Sequence, residues 1–189
     1  MKILLTAIGT QGDIEPFLAI GKILKEKGHQ VTCAFSGQFR ELTRSCDLEF
    51  ASLGRKLHDL NDSDFGRVIF GGGTGIKKYR AFLKLAIKST PANKEKETLL
   101  HELIQLETPD RILYNSKTTC PIIWEKKNKG KTIFLSPFPY LHYVEGHPLL
   151  VFRKNYGAFF NKFTFKLYNF GVSNPFFYNY IYQSFISEE

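Results

Sequence analysis

The sequence predicts an α/β fold in which a parallel sheet carries helices on both of its faces. The first observation is an apolar, β-branched-rich run at residues 2–8, KILLTAI, which is typical of a buried strand. The second is a glycine turn with a helical pattern directly after it. The third is the alternation of further apolar strand patterns with helical patterns, which implies βαβ units with right-handed crossovers.

The opening turn, residues 9–12, contains two glycines and leads into the first predicted helix. Asp13 is predicted to be the N-cap of this helix, because Asp is favoured at that position. Glu15 and Pro16 are placed in the first helical turn, where a carboxylate is favoured and a missing N–H is tolerated. The turn should lie at the carboxyl edge of the sheet, where open α/β sheets bind ligands.

Apolar runs bounded by turn residues predict five strands. These strands should begin near Lys2, Gln30, Leu48, Arg111 and Lys131. Helical patterns lie between them, at residues 37–46, 76–107 and 119–128. We expect Pro91 to divide the second pattern into two helices. The charged run Lys94–Glu97 is interpreted as a solvated helix face.

Residues 54–75 interrupt this alternation, because they are polar and acidic before they become glycine-rich in FGGGTG. A phosphate-holding loop is one interpretation, since Lys77 and Lys78 follow the glycines. However, the spacing differs from a Walker A loop, and no Lys-Ser or Lys-Thr pair follows. We therefore favour a mobile loop whose glycines allow a lid to move.

A loop rich in proline and aromatic residues, SPFPYLHYVEGHP, spans residues 136–148 and should line the same sheet edge as the first turn. His142, Glu145 and His147 match no common zinc signature, so we expect no metal site. Ordinary polar contacts are the favoured interpretation of the two histidines. The alternative is that one of them binds or orients a substrate hydroxyl.

The aromatic tail, residues 151–189, contains a helical pattern. Its apolar positions are Tyr156, Phe159, Phe160, Phe163, Leu167 and Phe170. Lys162 and Lys166 fall on a different side of that helix. We favour a helix that covers the sheet or faces another domain. The alternative is an amphipathic surface for a lipid membrane or a lipid-like molecule.

Composition limits the classes of partner and compartment. A chain of 189 residues can form one domain with a real core, and its formal net charge of +8 suits an anionic partner such as an acidic membrane surface. We expect no nucleic-acid partner, because the basic residues are spread out and no binding motif is present. Three scattered cysteines, without a secretory signal or a long apolar run, favour a reducing, cytoplasmic location, peripheral to a membrane in the alternative interpretation.

Two function classes are compared: a dinucleotide-dependent oxidoreductase and a non-catalytic binding module. A dinucleotide-dependent oxidoreductase is disfavoured, because the turn reads G-x-x-G and the second strand ends at Ser36 and Gly37 without an acidic residue for a ribose. A lipid- or membrane-binding α/β module without catalysis remains an alternative, since the charge and the aromatic tail both suit it.

The first turn also resembles a known family. Its residues match G-[ST]-x-G-D-x-x-P, the start of GT-B glycosyltransferases of the family-28 type, which includes sterol glucosyltransferases and antibiotic glycosyltransferases. The matching residues are Gly9, Thr10, Gly12, Asp13 and Pro16. In that family the Asp is commonly assigned as the base that activates an acceptor hydroxyl. Gln11 stands where the family often has Arg.

The resemblance implies a Rossmann-like, acceptor-binding domain over residues 1–189, with the aromatic tail at 151–189. It implies a hexosyltransferase that moves a sugar from a nucleotide sugar, a UDP-sugar in our interpretation, to a hydroxyl of a hydrophobic acceptor without a metal or other cofactor. Asp13 would be catalytic, and Gly9, Thr10, Gln11 and Gly12 would line the cleft. The acceptor-binding candidates are Phe138, Tyr140, His142, Glu145 and His147.

The donor-binding half of the family is not recognisable in this sequence. That half normally carries a His-Gly-Gly type loop for the donor phosphates and a later Asp-Gln pair. The clustered glycines here, Gly71–Gly73, follow Phe70 rather than His. We therefore expect this chain to need a donor-binding domain or a partner chain, and to be inactive alone.

Overall fold

The computed structural model describes residues 1–61, 63–70, 75–136, 143, 146–147 and 155–172. Contacts divide the chain into two compact units, Met1–Leu135 and Ser136–Glu189. The sheet and the glycine turn belong to the first unit, and the aromatic tail belongs to the second. The expectation of a single domain over residues 1–189 stays a prediction.

The first unit contains a five-stranded sheet in which every neighbouring pair of strands is parallel. The strands are β1 (Lys2–Thr6), β2 (Gln30–Phe35), β3 (Glu49–Ser52), β4 (Arg111–Tyr114) and β5 (Thr132–Phe134). Their order in space is β3-β2-β1-β4-β5. The predicted parallel α/β sheet is confirmed, with every strand start within one residue of its predicted position.

The strand order reverses between β1 and β4. After β1 the chain builds outward through β2 and β3, and it then returns to place β4 on the other side of β1. Ile3 lies opposite both Val31 of β2 and Arg111 of β4. Loops that leave adjacent strands in opposite directions open a crevice at the carboxyl edge, which is where open α/β sheets bind ligands.

Seven α-helices are described, with a short 3₁₀ turn at Gly37–Phe39 before the second. They are α1 (Gln11–Glu26), α2 (Arg40–Ser45), α3 (Lys56–Asn61), α4 (Asp64–Phe70), α5 (Gly75–Glu107), α6 (Cys120–Lys127) and α7 (Ala158–Val172). The predicted helical patterns at residues 37–46 and 119–128 are confirmed by α2 and α6.

Two apolar clusters cover the two faces of the sheet. On one face α1 packs Phe17 against Phe35 of β2, with ring centroids 6.3 Å apart in an edge-to-face arrangement. On the other face Leu100 of α5 packs with Leu4 and Ile112 of the sheet. Alternate residues of β1 thus face opposite clusters, as the period of a strand requires.

Gly21 allows α1 to approach the sheet closely. A Cβ atom at this position would lie 2.9 Å from a methyl carbon of Leu48 and 3.0 Å from one of Leu5. The backbone of the helix that carries the candidate site therefore lies directly against the side chains of Leu5 and Leu48 at this point.

The prediction of a mobile loop over residues 54–75 is wrong for its described part. Lys56–Asn61 and Asp64–Phe70 are helical, because the apolar residues between the polar ones recur at spacings that suit short helices. Gly71–Gly73, and the phosphate-loop interpretation that depended on them, lie outside the described residues.

Pro91 does not divide the helical pattern at residues 76–107, contrary to our prediction. Helix α5 runs without a break from Gly75 to Glu107 and contains Pro91. Proline removes one backbone hydrogen bond, but Ala92, Leu100 and Ile104 beyond it are buried. Tertiary packing of that stretch offsets the local cost and keeps the helix continuous.

The second unit contains α7 and a short segment that leads into it. The Asn155 side chain accepts hydrogen bonds from the Gly157 N–H and the Asn161 amide, both at 2.9 Å. Phe165 is buried and contacts the ring of Tyr143. Within the described part of the chain, no helix is both long and apolar enough to cross a membrane.

Candidate active site at the switch point of the sheet

The loops that follow β1 and β4 are joined by one buried side chain. Asn115, which follows β4, donates to the carbonyl oxygen of Ile8 at 2.8 Å and accepts from its N–H at 3.4 Å. An amide side chain can replace a backbone ladder in this way because it carries both a donor and an acceptor. The two loop ends therefore have fixed positions at the crevice between β1 and β4.

Asp13 lies at this crevice, but it is not the N-cap of α1 as predicted. The helix begins at Gln11 with Thr10 as its N-cap, so Asp13 is the third helical residue and Pro16 lies in the second turn. The Oδ2 atom of Asp13 accepts from the Thr10 N–H at 2.8 Å and from the Thr10 hydroxyl at 3.2 Å. Thr10 and Asp13 thus form the carboxylate side of a capping box. Both residue types are favoured at the N-cap, so the sequence pattern does not distinguish a helix start at Thr10 from one at Asp13, one turn later.

Gly9 leaves the space that the carboxylate occupies. A Cβ atom on Gly9 would lie 2.0 Å from Oδ2 of Asp13, and the backbone of Gly9 has φ +150°. Both the conformation and the contact therefore require glycine. Gly12 differs, since a Cβ atom there would have its nearest neighbour 4.0 Å away.

Lys117 supplies a positive charge to the same carboxylate oxygen. Its Nζ lies 3.0 Å from Oδ2 of Asp13. The Asp13 residue is only 5% exposed, whereas the Lys117 side chain is 42% exposed. The ammonium and the N-terminus of α1 thus both place positive charge beside this nearly buried carboxylate.

A buried ion pair on α5 holds the segment that carries Lys117. Lys96 and Glu97 lie 2.7 Å apart, and Lys96 donates to the carbonyl oxygen of Lys117 at 2.7 Å. Glu97 accepts from the N–H groups of Thr119 and Cys120 at the start of α6. The interpretation of Lys94–Glu97 as a solvated face is therefore wrong for these two residues, because backbone groups of the neighbouring loop satisfy their charges.

The two buried cysteines, Cys33 and Cys120, are unsuited to nucleophilic chemistry. Burial and then the charge of Cys46 raise the pKa of Cys33 to about 12. Burial, followed by the charge of Glu97, also raises the pKa of Cys120. These thiols stay protonated at neutral pH and are poor nucleophiles.

The structure brings some, but not all, of the predicted site residues together. Gly9, Thr10 and Asp13 are brought together, whereas Gln11 is exposed and donates to Glu15 at 2.6 Å. His147 is exposed in the second unit. Four other candidates, Phe138, Tyr140, His142 and Glu145, lie outside the described residues. In the described parts of the chain, no cluster of three metal-binding side chains occurs.

Sequence reasoning missed Lys117, Lys96 and Glu97. Lys117 is separated from Asp13 by 104 positions, so no local pattern connects the two. The available signal was that residues 115–119 directly follow a strand predicted to lie in the same sheet as β1. Only the strand order places that loop next to the first turn.

Comparison with known families identifies one match. The family model described as the glycosyltransferase family 28 N-terminal domain matches residues 3–97. That range contains β1 from Ile3 onward, the glycine turn, Asp13 and the buried Lys96–Glu97 pair, and it ends before Lys117.

Curated relatives match over part of this region. A sterol 3-beta-glucosyltransferase of Arabidopsis thaliana is 39% identical over 92 residues, which are 47% of this chain and 15% of that protein. A UDP-sugar-dependent glycosyltransferase of Dictyostelium discoideum is 38% identical over 63 residues, which are 33% of this chain and 4% of that protein. The chain thus aligns with only a small part of each relative.

Solved structures share the fold at low sequence identity. The glycotransferase of kitacinnamycin superposes with a TM-score of 0.51 and 16% identity, over 72% of this chain and 30% of that one. The calicheamicin glycosyltransferase CalG4 gives a TM-score of 0.50 and 18% identity, over 77% of this chain and 34% of that one. At these identities the likeness concerns the Rossmann-like fold alone.

Proposed function

This chain belongs to the glycosyltransferase family 28 N-terminal domain family, and we propose that it is the acceptor-binding part of a glycosyltransferase with Asp13 as its general base. One observation carries the proposal: a nearly buried carboxylate lies at the switch point of the sheet, and every hydrogen bond to it from the described residues goes to one oxygen, Oδ2. A base must be fixed in place and still have an oxygen available for the proton it removes.

In the proposed reaction Asp13 removes the proton of an acceptor hydroxyl. The hydroxyl oxygen forms a bond to the anomeric carbon of the sugar while the bond from that carbon to the donor phosphate oxygen breaks. The electron pair of the broken bond leaves with the nucleotide diphosphate. Lys117 and the N-terminus of α1 place positive charge beside the Asp13 carboxylate, and in the proposed reaction the proton moves as the leaving group departs.

We propose a UDP-sugar as co-substrate, with no metal or other cofactor, and a hydrophobic molecule with a hydroxyl as acceptor. The support is indirect: the Arabidopsis relative is named for a sterol acceptor, and the Dictyostelium relative for a UDP-sugar. Phe138, Tyr140, His142, Glu145 and His147 remain the proposed acceptor contacts. The proposed location is cytoplasmic, with the donor-binding domain or a partner chain completing the enzyme.

The variant Asp13→Asn tests the general base. In the enzyme assembled with its donor-binding domain, we expect sugar transfer to fall by about 100-fold or more, the scale of a lost general base. Transfer is measured with a radiolabelled UDP-sugar, and circular dichroism confirms the fold. Asp47→Asn is the matched control, because Asp47 also pairs with a lysine but is exposed.

Two results would contradict the proposal. If Asp13→Asn keeps its turnover within a factor of three and only the melting temperature falls, Asp13 serves solely as a capping residue. If Asp47→Asn loses as much activity as Asp13→Asn, the effect is not specific to the crevice.

The second candidate function is a non-catalytic module that binds a lipid or an anionic membrane surface. The observation that favours it is the exposure of three aromatic side chains on α7. Phe159, Phe160 and Phe163 are 80%, 60% and 54% exposed. Lys162 and Lys166 on the same helix are exposed as well, and basic residues beside an apolar face suit anionic lipid headgroups.

A further inference from the structure

We infer that Lys117 is a positioning residue for Asp13. Its contact commits Oδ2 of the carboxylate to structural hydrogen bonds and leaves Oδ1 to receive the acceptor proton. The inference rests on the proposed function and deepens it, because it assigns separate roles to the two oxygens of one carboxylate. Lys117 lies outside the matched residues 3–97.

The distribution of donors around Asp13 is the first step of the argument. The Thr10 N–H, the Thr10 hydroxyl and the Lys117 ammonium approach Oδ2 at 2.8, 3.2 and 3.0 Å. Within the described ranges, no hydrogen bond to Oδ1 is found. A carboxylate oxygen with three donors has little remaining capacity to accept, so a substrate hydroxyl has Oδ1 as its partner.

The anchoring of Lys117 is the second step. Its N–H donates to the Asn115 side chain at 3.2 Å, and its carbonyl oxygen accepts from Lys96 at 2.7 Å. Lys96 is 4% exposed and paired with Glu97. The backbone of Lys117 is therefore fixed from both sides by buried groups, unlike that of a lysine on a free surface loop.

The chemical consequence is the third step. The terminal torsion of an aspartate side chain is broad, so the plane of the carboxylate can rotate and carry the free oxygen away from a substrate hydroxyl. A charge-assisted hydrogen bond from Lys117 to Oδ2 opposes this rotation. Orientation of a catalytic group affects the rate of the chemical step. Loss of Lys117 should therefore lower kcat more than it raises the KM for the UDP-sugar or the KM for the acceptor.

The substitution Lys117→Met tests the inference in the assembled enzyme, with Lys117→Gln as a second variant in case one of them does not fold. We expect kcat to fall about 10-fold, with the KM values for UDP-sugar and acceptor within two-fold of wild type. Lys117→Arg, which keeps the positive charge, should recover at least half of the lost rate. Lys56→Met is the control, because Lys56 forms an ion pair with Glu95 in which both side chains are exposed.

A double-variant measurement separates positioning from a structural role. If Lys117 acts through Asp13, Lys117→Met should have little further effect on kcat in the Asp13→Asn background, since the two changes are then not additive. A purely structural lysine would instead lower the melting temperature and leave the kcat of the folded enzyme unchanged.

The experiments distinguish the positioning role of Lys117 from the general-base role of Asp13. If Asp13→Asn is inactive while both Lys117→Met and Lys117→Gln keep wild-type kcat, the positioning role is overturned and the base survives. If the effects of Lys117→Met and Asp13→Asn multiply, the positioning role is also overturned. If Asp13→Asn keeps wild-type turnover, or the assembled wild-type enzyme transfers no sugar, the proposed function fails and the positioning role fails with it.

Discussion

Gly9 and Asp13 share one small volume at the end of β1. A Cβ atom at position 9 would lie only 2.0 Å from Oδ2 of Asp13, so any side chain there would overlap the carboxylate. The glycine pattern of the first turn therefore has a steric cause at Gly9. No such cause exists at Gly12, where the space around a Cβ atom is open. Two glycines that look equivalent in the sequence have different physical roles.

Gly9→Ala should destabilise the first unit by about 1–3 kcal/mol, because it combines a positive φ with a displaced Asp13 side chain. Gly12→Ala should be neutral or stabilising by up to about 1 kcal/mol, since alanine is favoured over glycine inside a helix. Urea denaturation of the two variants measures the difference. Equal stability of Gly9→Ala and Gly12→Ala would show that the carboxylate does not occupy the position we describe.

Helix α7 shows how an element can be amphipathic and still leave aromatic residues exposed. Asn161 and Phe165, one helical turn apart, are buried. Phe159, Phe160 and Phe163 are exposed on another side of the helix. On the helical wheel, Lys162 and Lys166 fall between the buried side and the exposed aromatic side. Our favoured expectation for the tail, a helix that covers the sheet or faces another domain, stays a prediction.

The second candidate function makes a prediction about α7. If Phe159, Phe160 and Phe163 contact lipid, vesicles of phosphatidylcholine with phosphatidylserine should retain the protein in a flotation assay. Retention should fall as salt is raised, because ions screen the attraction between lysines and anionic headgroups. The triple variant Phe159→Ser, Phe160→Ser, Phe163→Ser should lose retention, whereas Tyr156→Ser, an exposed aromatic outside α7, should keep it.

Equal retention on neutral and anionic vesicles, or no retention on either, would argue against an anionic membrane partner. Loss of retention by Tyr156→Ser alone would place the lipid contact outside α7.

At the scale of the whole molecule, the sheet brings the proposed base, Asp13, to one edge, and the described residues add no recognisable donor site. The order β3-β2-β1-β4-β5 opens its crevice beside Asp13. The family resemblance assigns the donor phosphates to a loop that residues 1–189 do not recognisably contain. Electrostatic stabilisation of a leaving group is often the largest contribution to catalysis, so the chain by itself should lack that contribution.

The isolated chain should therefore bind nucleotide sugars poorly and show no turnover. Isothermal titration of UDP-glucose into residues 1–189 should give no micromolar binding, whereas the same titration into the enzyme assembled with its donor-binding domain should give a measurable affinity. Micromolar binding by the isolated chain, or sugar transfer catalysed by it, would contradict this prediction.

The sequence by itself determined the parallel α/β sheet, since each strand is a short apolar run and each crossover a helical pattern, and both signals are local. It also determined the glycine turn and the acidic residue beside it. Local signals were insufficient where two choices were chemically similar. Thr10 and Asp13 are both good N-caps, and only the packed turn at Gly9 selects Thr10.

Tertiary structure alone decided which charges became part of the site. Lys96 and Glu97 have the sequence pattern of a solvated face, yet they are buried because the loop at residues 117–120 supplies backbone partners. Lys117 reaches Asp13 across 104 positions because β4 returns to lie beside β1. Such contacts depend on strand order, which is set by the packing of the whole sheet and not by the residues near either partner.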